Sequence, residues 1–152
     1  MSDVPISRPL SSALTGTWEL TSRLDRTTDG EPRVEPSLGA DPVALLIYDG
    51  HGHFSAQFMK RDRRGPEIVV AAAGPNNSRA QGGYDAYFGE YSVNDADGTV
   101  TQRLTGCLSP ENVGQVLTRA MTVRGDELII ALDTATAAGE PVVRTLCWRR
   151  VG

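Results

Sequence analysis

Apolar side chains recur at every second position in segment after segment of this chain, and that period constrains its fold more than any other feature. Alternation at spacing two puts one set of side chains on one face of a β-strand, whereas a helix would repeat every three to four residues. Thr17 to Ser22 alternates with Trp18 and Leu20 together, and Val43 to Tyr48 is an apolar run of strand length. Asp49-Gly50-His51-Gly52 then reads as a turn, and His53 to Phe58 alternates with Phe54, Ala56 and Phe58 together, so the pair predicts a hairpin. Further along, Tyr87, Tyr91 and Val93 share a face, as do Val100, Gln102 and Leu104. Leu117, Arg119, Met121 and Val123 form the next stripe, followed by Leu128, Ile130 and Leu132, and last by Val142, Arg144, Leu146, Trp148 and Arg150. No long helical pattern appears.

About eight short-linked strands suit antiparallel neighbours. The fold class is therefore all-β, a single antiparallel up-and-down β-barrel of about eight strands, with a two-sheet sandwich as its rival. Closure removes exposed strand edges and leaves an interior that fits side chains or one small ligand. Residues 60 to 83 interrupt the rhythm with Pro66, Gly74-Pro75-Asn76-Asn77 and Gly82-Gly83. Within them Ile68 to Ala73 suits a short strand or helix, and Asn77 to Gln81 a short helical turn. A long irregular segment of this kind is often a lid or binding loop. Residues 1–12 read as a flexible N-terminal segment and 13–151 as the barrel domain.

Composition mainly excludes. The 152 residues are one domain's worth, and 19 acidic against 15 basic side chains leave a formal charge of -4, so there is no basic excess to neutralise nucleic-acid phosphates. Met1 to Ser12 has no apolar run suited to a signal peptide, and no stretch is long enough to cross a bilayer as a helix. The expectation is a cytoplasmic protein with no membrane or nucleic-acid partner, and with Cys107 and Cys147 as free thiols. His51 and His53 flank Gly52 in a turn without a third ligand, so no metal site is expected. No phosphate loop, dinucleotide fingerprint or nucleophile elbow is present, and no cofactor is implied.

Gly16-Thr17-Trp18 at the first strand, Leu46-Ile47-Tyr48 with Gly52-His53-Phe54-Ser55-Ala56-Gln57, Ala86-Tyr87-Phe88-Gly89-Glu90-Tyr91-Ser92-Val93 and the closing Leu146-Cys147-Trp148-Arg149-Arg150 occur in the order seen in one known group. With Gly98-Thr99-Val100-Thr101, Arg119 and Asp126-Glu127-Leu128, they resemble the bacterial and fungal lipocalin-like domain family over roughly residues 12 to 150. The chain departs from the family pattern at Gln102, where a histidine is the common expectation. The resemblance implies a lipocalin-like barrel. It also implies that an arginine near the chain's end, here Arg150, stacks over Trp18 and closes the barrel base.

Six residues are candidate ligand contacts: Phe54, Phe58, Tyr87, Tyr91, Gln102 and Arg119. If the Arg119 stripe faces inward, its guanidinium needs a partner, because an unpaired buried charge costs several kcal/mol. Glu90, Glu19 or an anionic ligand group such as a carboxylate or enolate are the options. A salt bridge inside the barrel, or an outward arginine lying over apolar surface, is the structural alternative. Gln102 can orient a ligand carbonyl or bond across the barrel. The tyrosines offer aromatic walls with hydroxyl tips, or are half-buried strand residues. Phe54 and Phe58 are core or pocket wall.

Three functions stay open. The first is binding of a small, mostly apolar molecule, one that can bear a carboxylate or carbonyl. The second is a cofactor-independent isomerase or cyclase acting on a small hydrophobic metabolite, with Glu90 as general base if a bulge at Gly89 turns it inward. The third is a structural domain whose barrel is filled by side chains. A homodimer is open to any of them.

Overall fold

The structure, a computed structural model, describes residues 8–64 and 73–152. Its strands are β1 (Gly16–Thr27), β2 (Pro32–Arg33), β3 (Val43–Tyr48), β4 (His53–Met59), β5 (Tyr84–Asn94), β6 (Thr99–Cys107), β7 (Val116–Arg124), β8 (Glu127–Ala135) and β9 (Pro141–Arg150). Each long strand pairs antiparallel with its successor, and β1 pairs with both β3 and β9, which closes an eight-stranded barrel; β2 is a two-residue appendage on β1. The sandwich alternative is excluded by that closure. All eight expected strands are present.

Alternation decides what is inside. In β3 every second residue is buried, so Ala44, Leu46 and Tyr48 face in while Val43, Leu45 and Ile47 face out. The same rhythm buries Leu117, Arg119 and Met121 on β7 and Leu128, Ile130 and Leu132 on β8. Two irregularities interrupt it. Between Leu20 and Ser22 the β1–β9 register slips, and Thr21 is the extra residue. Between Phe88 and Gly89 the β5–β6 register slips, with Thr105 extra on β6.

The two ends of the barrel differ. At the base, a single helical turn, α1 (Leu10–Ala13), lies under the strands, and Leu14, Trp18, Val100 and Leu128 are fully enclosed. The Trp18 indole donates to the Leu14 carbonyl at 3.0 Å, and Ser11 fixes the turn to Asp95 through its amide at 2.9 Å and its hydroxyl at 2.7 Å. The Arg150 guanidinium lies 4.3 Å above the Trp18 ring, as the family resemblance implied.

Residues 34–39 and 73–82 cross the other end. Asn76 carries a positive φ of 58°, which interrupts any helix there. Its side-chain amide accepts from the Thr118 amide at 2.8 Å and donates to the Thr118 carbonyl at 3.0 Å, continuing the ladder of β7. Residues 77–81 are consequently irregular instead of the expected helical turn. Of the expected element at Ile68 to Ala73, residues 68–72 lie outside the described residues. Both cysteines are free thiols. No helix among the described residues is long and apolar enough to cross a membrane.

Candidate functional site

The barrel is solid toward its base and hollow toward the other end. A partly open cavity of about 50 Å³ lies under residues 37–38 and 77–80. That is room for roughly three or four waters. Its apolar wall includes Leu46, Phe58, Ile130, Leu132, Leu146 and Trp148. Its polar wall is unusually charged for a barrel interior, with Arg23, Asp85, Arg119 and Arg144 beside Tyr48, Tyr87 and Gln102.

Arg119 faces inward and is only 5% exposed, which excludes an outward arginine. Neither carboxylate expected as its partner is near it: Glu19 pairs with Arg149 on the outer surface, and Glu90 is exposed. The guanidinium donates through Nη1 to the Asn76 carbonyl at 2.9 Å and to the Thr118 carbonyl at 3.0 Å. The Tyr87 hydroxyl sits against it. Among the described residues no carboxylate forms an ion pair with Arg119. Burial pushes its guanidinium below the usual arginine range, and Tyr87 and Tyr48 counter part of that effect. Burial also pushes the Tyr87 phenol up to about 12, so near neutral pH it keeps its proton and remains a donor.

Gln102 lines the cavity, but its amide nitrogen already donates across the barrel to the Tyr48 hydroxyl. Phe58 lines it as well. Phe54 and Tyr91 do not: Phe54 is core, stacked at 6.1 Å from Tyr48, and Tyr91 meets the Tyr48 ring edge-on at 4.8 Å. Four of the six candidate residues, Phe58, Tyr87, Gln102 and Arg119, therefore surround one space, and two pack beside Tyr48.

Glu90 cannot serve as the general base. The slip near Gly89 inserts its extra residue in β6, leaving the alternation of β5 intact and Glu90 on the outer surface opposite Arg103. The buried carboxyl of β5 is Asp85, two positions before Tyr87 and on the same face. Burial is the largest influence on it and raises its affinity for a proton; the Ser78 hydroxyl, which bonds Oδ2, opposes that, as does Arg23.

Arg23 and Arg144 were not among the candidates. Arg144 clasps Asp25, Nε to Oδ1 at 2.7 Å and Nη2 to Oδ2 at 3.0 Å, and both residues are 3% exposed. Arg23 meets Glu35 at 3.4 Å, and burial pushes its guanidinium down to about 10. Burial pushes the Glu35 carboxyl up, yet hydrogen bonds from Ser37 and the charge of Arg23 outweigh it and hold it below the usual carboxylate range. Arg144 was legible, since it shares a stripe with Leu146 and Trp148. Arg23 and Asp25 were hidden by the extra residue at Thr21, which moves the inward face from even to odd positions.

A family model for the lipocalin-like domain matches residues 15–151, the closed barrel and its capping segments together. The chain belongs to the lipocalin-like domain family. A comparison with curated proteins finds no match. Membership accounts for a barrel suited to small-molecule binding in general, and this lipocalin-like chain carries its hollow at the end away from Trp18. Among the described residues no group of three or more His, Cys, Asp or Glu side chains is placed to hold a metal.

Proposed function

We propose that this lipocalin-like protein binds a compact, mostly apolar small molecule carrying a carboxylate or carbonyl group, enclosed in the barrel cavity. The observation that supports it most is Arg119, a buried guanidinium on the cavity wall whose partners among the described residues are carbonyls and a phenol. A buried cation is stabilised best by an anion, and a ligand group can supply one. Leu46, Phe58 and Ile130 give the apolar body of the site, and Tyr87 a neutral donor. The small volume favours a short ligand over an extended chain.

Native mass spectrometry of protein purified from its source tests this. A bound small molecule is expected, and Arg119→Gln and Tyr87→Phe, shown folded by thermal melting, should lose most of it. Unchanged retention in both variants would remove these two residues as anchors.

A second reading rests on Asp85. A buried carboxyl whose proton affinity is raised by burial, on the wall of the same cavity as Arg119, is a group that can move a proton while a guanidinium stabilises an oxyanion. That suits a cofactor-independent isomerase or cyclase, with Asp85 in the role first expected of Glu90. Loss of turnover in Asp85→Asn with ligand binding retained would favour it over binding alone.

A further inference from the structure

Among the described residues three buried donors have no hydrogen-bond partner: Arg79 Nε lies away from the cavity, and the other two belong to residues of its wall. One is Nη1 of Arg144, the arm left over after Nε and Nη2 close on Asp25; the other is the indole Nε1 of Trp148. Arg144 is 3% exposed and Trp148 1%, so bulk water does not serve them. Unsatisfied buried donors are rare in folded proteins, so each needs an explanation, and an acceptor held in the cavity supplies one for both. The other indole, Trp18, donates to the Leu14 carbonyl, so the tryptophan at the base of the barrel is satisfied.

The charges point the same way. Arg23, Arg119 and Arg144 line one cavity and repel one another: Arg144 lowers the proton affinity of both others. Two carboxylates answer them in ion pairs, Glu35 with Arg23 and Asp25 with Arg144. The third buried carboxyl, Asp85, is held by the Ser78 hydroxyl and forms no ion pair among the described residues. Burial favours its neutral form, while Arg23 opposes and Glu35 assists that preference. Arg119 is left as the one guanidinium of the three without a carboxylate partner among the described residues.

We infer that the cavity is built for a monoanion with a second, neutral acceptor, such as a short carboxylate also bearing a ketone or ether oxygen. Arg119 and Nη1 of Arg144 meet the anionic group, and Trp148 Nε1 donates to an acceptor. This rests on the proposal that the cavity is a binding site, and adds Arg144 and Trp148 to it.

Three probes test it, titrated into the full chain: isobutyrate, its isostere isobutyramide, and 3-methyl-2-oxobutanoate, which extends the acid by one ketone. Affinity is followed by calorimetry and the indole N–H signals by ¹H–¹⁵N NMR, with Trp148→Phe assigning them. The acid should bind at least about tenfold tighter than the amide, as charge-assisted hydrogen bonds require. The oxo acid should bind tighter still and shift the Trp148 signal while leaving that of Trp18 in place. Arg119→Gln should abolish the preference for acid over amide. If amide and acid bind equally, the cavity remains a binding site and the monoanion is wrong. Tight binding of the oxo acid with an unmoved Trp148 signal would remove the second acceptor. If none of the three binds up to tens of millimolar, the binding proposal falls and the inference with it.

Discussion

Arg144 on β9 and Asp25 on β1 are direct cross-strand partners, and they form a two-pronged ion pair inside the seam that closes the barrel. Removing two charges from water is costly, and the pair survives there because each ion answers the other. Breaking it from one side is therefore worse than removing both. Asp25→Ala is expected to cost about 3–5 kcal/mol in urea unfolding, since it strands a buried guanidinium. The double variant Asp25→Leu/Arg144→Leu should recover most of that loss. A double variant no more stable than the single one would show that packing, and not charge, dominates the seam.

At the opposite end, Arg150 closes the base by stacking on Trp18 while its Nη1 and Nη2 donate to the carbonyls of Thr15 and Ala13 at 2.7 and 2.6 Å. Arg150→Ala should lower stability by about 2–4 kcal/mol, combining the cation–π contact with two charged hydrogen bonds. Arg150→Lys should recover less than half, because an ammonium cannot stack flat and reach both carbonyls at once. Equilibrium denaturation of the three proteins checks the order.

Asp85 makes a prediction about pH. Its proton affinity is higher in the folded state than in the unfolded chain, so across the interval between the two pKa values the native protein holds a proton that the unfolded chain has released. Stability from this group is greatest below the unfolded value, declines as pH rises through the interval, and levels off above the folded value. Asp85→Asn should flatten that slope. Melting temperatures of the two proteins taken from pH 4 to pH 7 measure it, and parallel profiles would reject the assignment.

Gly89 sits at the register slip between β5 and β6, against the backbone of Arg103. A Cβ there would lie 1.9 Å from the carbonyl oxygen of Arg103, which is backbone and cannot swing aside. Gly89→Ala is expected to cost about 3 kcal/mol or more, or to prevent folding. Ser92→Ala, on the exposed face of the same strand, should change stability little. Comparable melting of both variants would mean that the strands can separate at the bulge.

The eight strands and the barrel were legible because an inward face repeats every second residue, and the repeat survives within each strand without knowledge of its neighbours. That rule grouped Tyr87 with Tyr91, Gln102 with Val100 and Leu104, and Arg119 with Leu117 and Met121, and left open which face turns inward. It also exposed Arg144, although three apolar partners on its stripe, Val142, Leu146 and Trp148, disguised it as core. Asp85 escaped only because the strand begins at Tyr84, three residues before its apolar pattern does.

What the chain could not reveal by itself is where the rhythm slips. The extra residue at Thr21 costs one position of register, and that single step turns Arg23 and Asp25 from the outer surface to the interior. A bulge is fixed by pairing between strands more than a hundred residues apart, here β1 with β9, so no local pattern encodes it. The sequence by itself determined a meander of alternating strands with an arginine on one stripe of apolar residues, and only the structure turns that stripe inward. Tertiary pairing decided which further charges join it, because only the finished seam sets the face each of them meets.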